Sequence, residues 1–322
     1  LRPSISSIHP PAGPEYGRQK LLIRGVGLGW KHDLNTKKQS KVLAQIDGRP
    51  CYNTVIRSPT ELLCLTPPGT PGEKGEVTVI VNGVKSTEDG DGDGARDSYA
   101  YEDIHSNRIV PARGPSYGHQ KIIIYGLNIG ENTTAGLLPT AYVGKVPCLK
   151  TKILSRETVE CTTPPGTGSQ LVSLKVNGKF STDNETIFEY QEPLISHVYP
   201  AAGGEFGGEV LTITGQFLGI DLAKPIITIG SQVCAGSKIL EPGKRLTCIV
   251  PVSKKLGKED VIVSVNGVKS NATEFAKFEY LESLVTRVEP KQGPTYGGVE
   301  LTLTGHLLGI HGVVPKVFIG PL

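Results

Sequence analysis

The chain of 322 residues contains no methionine, and nowhere does it hold an apolar period of 3.6 long enough to make a helix. Without methionine there is no initiator, so the chain reads as a window from a longer, processed protein. No apolar run is long enough to cross a bilayer, and no signal peptide is visible, so no membrane insertion is expected within this stretch. Charge of one sign is also lacking. The net charge is +3 and is spread along the chain, which gives no basis for nucleic-acid binding. Catalytic signatures are missing too: there is no nucleophile elbow, P-loop or H-E-x-x-H pattern. The seven histidines (His9, His32, His105, His119, His197, His306 and His311) have no ligand spacing and read as surface residues. The run Gly25, Gly27, Gly29 looks glycine-rich, but it ends a strand pattern and no helix follows to bind phosphate. These absences lead us to expect a protein that is not an enzyme and requires no cofactor.

What the chain does have is glycine (40), proline (24) and a pattern repeated four times. Each copy opens with an apolar alternation that ends in proline: Pro10, Pro111, Pro200 and Pro290. A glycine follows three residues later (Gly13, Gly114, Gly203, Gly293). Next comes an aromatic-glycine pair (Tyr16, Tyr117, Phe206 or Tyr296, each before Gly). A β-patterned run then ends at Gly25, Gly126, Gly215 or Gly305. The four registers agree without gaps, so the chain is an array of like modules. The repeat prolines are separated by 101, 89 and 90 residues, a size at which each module buries a modest core of its own. Short β-rich runs between glycine and proline turns indicate all-β sandwiches.

Within the first repeat, residues 42–46 read as a strand and residues 61–68 as a second strand ended by proline. Residues 77–81 alternate, and Asn82-Gly83 then supplies a type I′ hairpin turn. Asn177-Gly178 and Asn266-Gly267 repeat that turn. Each complete module closes on an aromatic pair: Tyr99/Tyr101, Phe188/Tyr190 and Phe278/Tyr280. The expected domains are residues 1–103, 104–191, 192–281 and a truncated fourth, 282–322. Half a sandwich exposes its core face, so the fourth is not expected to fold alone. No Gly/Ser linker separates the modules, and this leads to the expectation of a stiff, elongated rod.

Six cysteines fall one pair per complete module: Cys51/Cys64, Cys148/Cys161 and Cys234/Cys248. Zinc would need closer pairs or added histidine. One pair per module, on what read as neighbouring strands, points to one disulfide each and so to an oxidising compartment. The alternative is reduced thiols buried in a cytosolic core. In the chain-entropy picture each bond contributes about 3 kcal/mol. Three N-x-T sequons, at Asn132, Asn184 and Asn271, fit the same compartment and are expected to carry N-glycans.

The first repeat also carries an acidic insert at residues 87–97. Asp89, Asp91 and Asp93 stand at positions 1, 3 and 5 of a D-x-D-x-D-G loop, Gly94 at 6 and Asp97 at 9. Alternating carboxylates wrap oxygen ligands around Ca²⁺. Position 12, however, is Ala100 rather than glutamate. A weak extracellular calcium site and a solvated acidic tip are both consistent with the loop. The turn aromatics have two readings as well. They cover the end of their own sandwich, or they form a contact surface that recurs along the array.

The combined pattern runs P-x-x-G, then Y/F-G, L-T-I-x-G, V-x-I-G-x-x-x-C, L-x-C-x-x-P, V-x-V-N-G and F-x-Y. It resembles the IPT/TIG repeat over essentially the whole chain. The resemblance implies an immunoglobulin-like β-sandwich in each module, with the two cysteines bonded. An uninterrupted tandem array is most similar to fibrocystin-type cell-surface proteins. It is less similar to plexin-type receptors, which interpose cysteine-rich domains, and least similar to Rel-type transcription factors. The function this implies is a non-enzymatic extracellular spacer or adhesion segment of a longer cell-surface or matrix protein. Its partners would be other proteins, copies of itself or neighbouring surface proteins, possible settings including a ciliary or flagellar coat. Two alternatives remain: the stalk of a signalling receptor ectodomain, and accessory modules of a secreted carbohydrate-active enzyme.

Overall fold

The computed structural model describes residues 2–31, 39–87, 97–129, 138–182, 185–309 and 316–320. Among them every regular element is a β-strand. The first repeat contains β1 (Ser4–His9), β2 (Ala12–Pro14), β3 (Lys20–Val26), β4 (Val42–Ile46), β5 (Arg49–Pro50), β6 (Tyr52–Ser58), β7 (Glu61–Leu65), β8 (Lys74–Val81), β9 (Val84–Lys85) and β10 (Ser98–Glu102). Two sheets result. One has the order β1-β3-β7-β6; the other has β2-β10-β8-β4-β5, with β9 paired to β8. All described pairings in this repeat are antiparallel except β2 beside β10.

Period-two alternation decides which residues face inward. In β3 the pattern buries Leu21 and Ile23 and leaves Lys20 and Val26 exposed. The inner face of the second sheet supplies Ala44, Ile46, Val77, Val79, Tyr99 and Tyr101, and the two sets form one core. That is a two-sheet sandwich. Burying a side chain such as Leu21 or Ile23 contributes about 1.5–3 kcal/mol.

The glycine that ends each β-patterned run has a steric reason. The first strand of every repeat carries a register irregularity where it meets this position. There the backbones approach closely. A Cβ on Gly25 would lie 2.0 Å from the Ser4 carbonyl oxygen, and a Cβ on Gly126, Gly215 or Gly305 would meet the corresponding carbonyl at 2.0–2.1 Å. The prolines that open the repeats, Pro10, Pro111, Pro200 and Pro290, all follow cis peptide bonds.

By its contacts the chain divides into two compact units. The first comprises Leu1–Ala112, Lys121–Thr163 and Gln170–Phe188. It contains the first sandwich and, from the second repeat, the sheet of His105–Val110, Lys121–Leu127, Thr158–Thr162 and Lys150–Ser155. The second unit comprises Arg113–Gln120, Pro164–Ser169 and Glu189–Leu322. Its third repeat has the same two sheets: Leu194–Tyr199, Val210–Gln216, Arg245–Ile249 and Ala235–Glu241 in one, and Ala202–Gly204, Lys277–Leu281, Gly257–Val265, Pro225–Ile229 and Gln232–Val233 in the other. The second unit also holds the start of the fourth repeat, Leu284–Glu289 paired with Thr302–His306. There Val285 and Val288 are exposed, whereas their third-repeat counterparts Ile195 and Val198 are buried.

The second closing aromatic of each repeat fixes the segment after the second cysteine. Tyr101 donates its hydroxyl hydrogen to the Pro67 carbonyl at 3.1 Å, Tyr190 to Pro164 at 2.7 Å and Tyr280 to Pro251 at 3.0 Å. Burial pushes all three hydroxyls up to about 12. The rings of Tyr101 and Tyr190 lie flat against Gly69 and Gly166, where a Cβ would stand 2.4 Å from a ring carbon. Gly69→Ala is therefore expected to overpack the first sandwich and cost about 1–3 kcal/mol. In urea unfolding the midpoint should fall without a change in slope.

Candidate functional site

The surfaces best built for a function are those where consecutive repeats meet, because the turn aromatics lie there. Tyr16 belongs to the first repeat and is buried, yet its hydroxyl donates to the Asn128 carbonyl oxygen of the second repeat at 3.1 Å. Asn128 has φ of 57°, and its side-chain amide donates back to Glu102 Oε2 and the Asp103 carbonyl, both at 3.2 Å. Beside Tyr16, the buried Glu15 is ion-paired with Lys179 of the second repeat. All of these residues lie in the first unit.

At the second junction, Tyr117 is buried and joins the core cluster of the third repeat. A Cβ at Gly243 would come within 3.2 Å of its hydroxyl oxygen, and burial raises that hydroxyl above its ordinary range. Phe217 stands in register with Asn128, also with positive φ (56°), and packs against the same core. The two turn tyrosines therefore contact the following repeat rather than only covering the end of their own. Their counterparts Phe206 and Tyr296 are 45% and 89% exposed. Nothing local in the sequence reveals the partner of each tyrosine, because the contact spans 112 residues in the case of Tyr16 and Asn128.

The cysteine pairs occupy one equivalent place in each sandwich. Cys148–Cys161 and Cys234–Cys248 are disulfides with Cα atoms 5.8 and 5.6 Å apart. The expectation of a third bond is corrected: Cys51 and Cys64 are buried free thiols. The hydrogen bond between them, together with burial, raises the Cys64 thiol well above its ordinary range.

Of the acidic loop, Asp89, Asp91 and Asp93 lie outside the described residues, while Asp97 precedes β10 and its carbonyl accepts from Val77 N at 2.8 Å. Among the described residues no group of three or more His, Cys, Asp or Glu side chains is placed to hold a metal. Asn132 and Asn184 also lie outside the described residues. Asn271 is exposed, and its amide nitrogen lies 3.4 Å from Glu192 Oε2 at the second junction.

The IPT/TIG domain family model matches residues 3–92, 105–190 and 193–280. Human fibrocystin-L is 30% identical over 310 residues, covering 94% of this chain and 7% of that protein. Mouse plexin-A2 is 28% identical over 214 residues, covering 63% of this chain and 11% of that protein. This chain thus spans about a tenth or less of the length of these relatives. Among solved structures, the plexin A4 full extracellular region matches 99% of this chain and 26% of its own, at 18% identity and a TM-score of 0.34.

Two outcomes are expected from the geometry. Alkylation of unfolded, unreduced protein should label Cys51 and Cys64 alone, and subsequent reduction should expose the other four cysteines, as read by peptide mass spectrometry. Lys179→Ala leaves the Glu15 carboxylate buried without its partner and should cost about 1–3 kcal/mol in urea unfolding; adding Glu15→Gln should recover part of that loss.

Proposed function

This chain belongs to the IPT/TIG domain family, and on that footing we propose that it is a non-catalytic spacer and adhesion segment within a longer extracellular, cell-surface protein. The observation that carries this reading is the built junction. The first two repeats are joined by a tyrosine hydrogen bond and an ion pair, and the turn tyrosine of the second packs into the core of the third. A module array works as a spacer only when successive modules are fixed to one another, since loosely linked domains move independently by default.

In this reading the partners are proteins, either copies of this segment or neighbouring surface proteins. The exposed outer faces and edge strands offer the contact surfaces. The segment binds no nucleic acid and needs no cofactor. The sequons at Asn132, Asn184 and Asn271 carry N-glycans, and the acidic loop with Asp89, Asp91, Asp93 and Asp97 takes up extracellular Ca²⁺. A coat on a cilium or flagellum is one setting that suits such an array.

The test is a distance measurement between spin labels introduced through non-natural amino acids at the exposed positions Arg57 of the first repeat and Lys152 of the second. A spacer is expected to give one narrow distance distribution, and Tyr16→Ala should broaden it. A broad distribution in the unsubstituted protein would overturn the spacer reading.

A further inference from the structure

The second junction contains a cleft of about 390 Å³, within the size range of small-ligand sites. Its walls combine apolar and polar surfaces. Tyr190, Phe217 and Val268 supply the apolar part; Ser116, Gln191 and Glu192 supply the polar part. All of these residues lie in the second unit.

Comparison of the two junctions explains the cleft. Counted from the repeat prolines, Ser116 holds the place that Glu15 holds in the first repeat. Counted from the Asn-Gly turns, Val268 holds the place of Lys179. At the first junction Glu15 and Lys179 reach each other and fill the space with an ion pair. At the second, a serine and a valine take those places and cannot form an ion pair. Ser116 is 3% exposed, and its hydroxyl has no hydrogen-bond partner, a situation that buried polar groups seldom tolerate. The lining suits a group that has both an apolar face and hydroxyl or amide groups.

Asn271 lines the same cleft. It heads the sequon completed by Thr273, and its side-chain nitrogen, the atom that an N-glycan is attached to, lies 3.4 Å from Glu192 Oε2. A glycosylated amide keeps one N–H, so the contact with Glu192 survives the modification. We propose that the first sugar of an N-glycan on Asn271 seats in this cleft and joins the second and third repeats, in place of the ion pair that joins the first and second. A pyranose ring offers one apolar face to Phe217 and Val268. Its N-acetyl and hydroxyl groups offer partners to Gln191 and Glu192. The proposal rests on the reading of Asn271 as a glycosylated residue.

The experiment uses the whole segment secreted from a eukaryotic host. Glycopeptide mass spectrometry first measures occupancy of Asn271, which tests the underlying reading separately. Hydrogen exchange then compares the glycosylated protein with Asn271→Gln and with Thr273→Ser, which keeps the sequon. The expected result is several-fold faster exchange around residues 116–118 and 190–194 in Asn271→Gln alone. The native glycan should also resist an amidase that removes it readily after unfolding. Full occupancy with unchanged exchange and easy native release would place the sugar in solvent and overturn the proposal. An unoccupied Asn271 would overturn both the proposal and the glycosylation reading beneath it.

Discussion

Each complete repeat depends on one hydrogen bond made by its last aromatic. The hydroxyls of Tyr101, Tyr190 and Tyr280 reach back to the carbonyls of Pro67, Pro164 and Pro251. These prolines end or follow the strand that carries the second cysteine, where the chain must leave one sheet for the other. A backbone carbonyl that is buried where the chain leaves its strand needs a donor to satisfy it. The tyrosine supplies that donor and brings a large apolar ring with it. In the first two repeats the ring takes the space that a glycine side chain leaves free. The segment held in this way also packs against the turn that carries the aromatic-glycine pair: Gly69 N donates to the Glu15 carbonyl and Gly166 N to the Ser116 carbonyl. The closing tyrosine therefore fixes the turn that presents Tyr16 or Tyr117 to the following repeat.

The junctions follow from that arrangement, but they are not copies of each other. The first is held by polar pairs: Tyr16 with Asn128, Asn128 with Glu102, and Glu15 with Lys179. The second replaces Asn128 with Phe217 and the ion pair with Ser116 and Val268, so that apolar packing around Tyr117 carries it. A charge pair that is only half buried contributes modestly to stability but strongly to register, because a displaced Glu15 would lose its partner while remaining desolvated. Apolar contacts tolerate small displacements. The same turn can thus join neighbouring repeats by two different chemistries.

The cysteine pairs show the same variation on a fixed plan. The pairs hold equivalent places in the three sandwiches; two pairs are bonded, and the third is a pair of buried thiols. Sandwich packing brings each pair together. The spacing of cysteines in the chain does not encode whether a bond forms: the bonded Cys148 and Cys161 and the free Cys51 and Cys64 are both 13 residues apart.

The sequence by itself determined the architecture. The four registers of proline, glycine and aromatic residues, the Asn-Gly turns and the period-two runs specified all-β sandwiches in tandem, and β4 and β8 lie where the alternation of residues 42–46 and 77–81 puts them. These signals are local: a strand's alternation and a turn's φ preferences are written within a few residues. The sequons and the acidic run were legible for the same reason. Tertiary structure alone decided what each aromatic touches, which cysteines are bonded, and where Asn271 stands. The hydroxyl of Tyr16 and the carbonyl of Asn128 meet across 112 residues, and Asn271 comes beside Glu192 across 79. Contacts of that span are set by the packing of whole sheets and by the volumes of side chains at the junctions. Neither has a period or a motif that can be read along the chain.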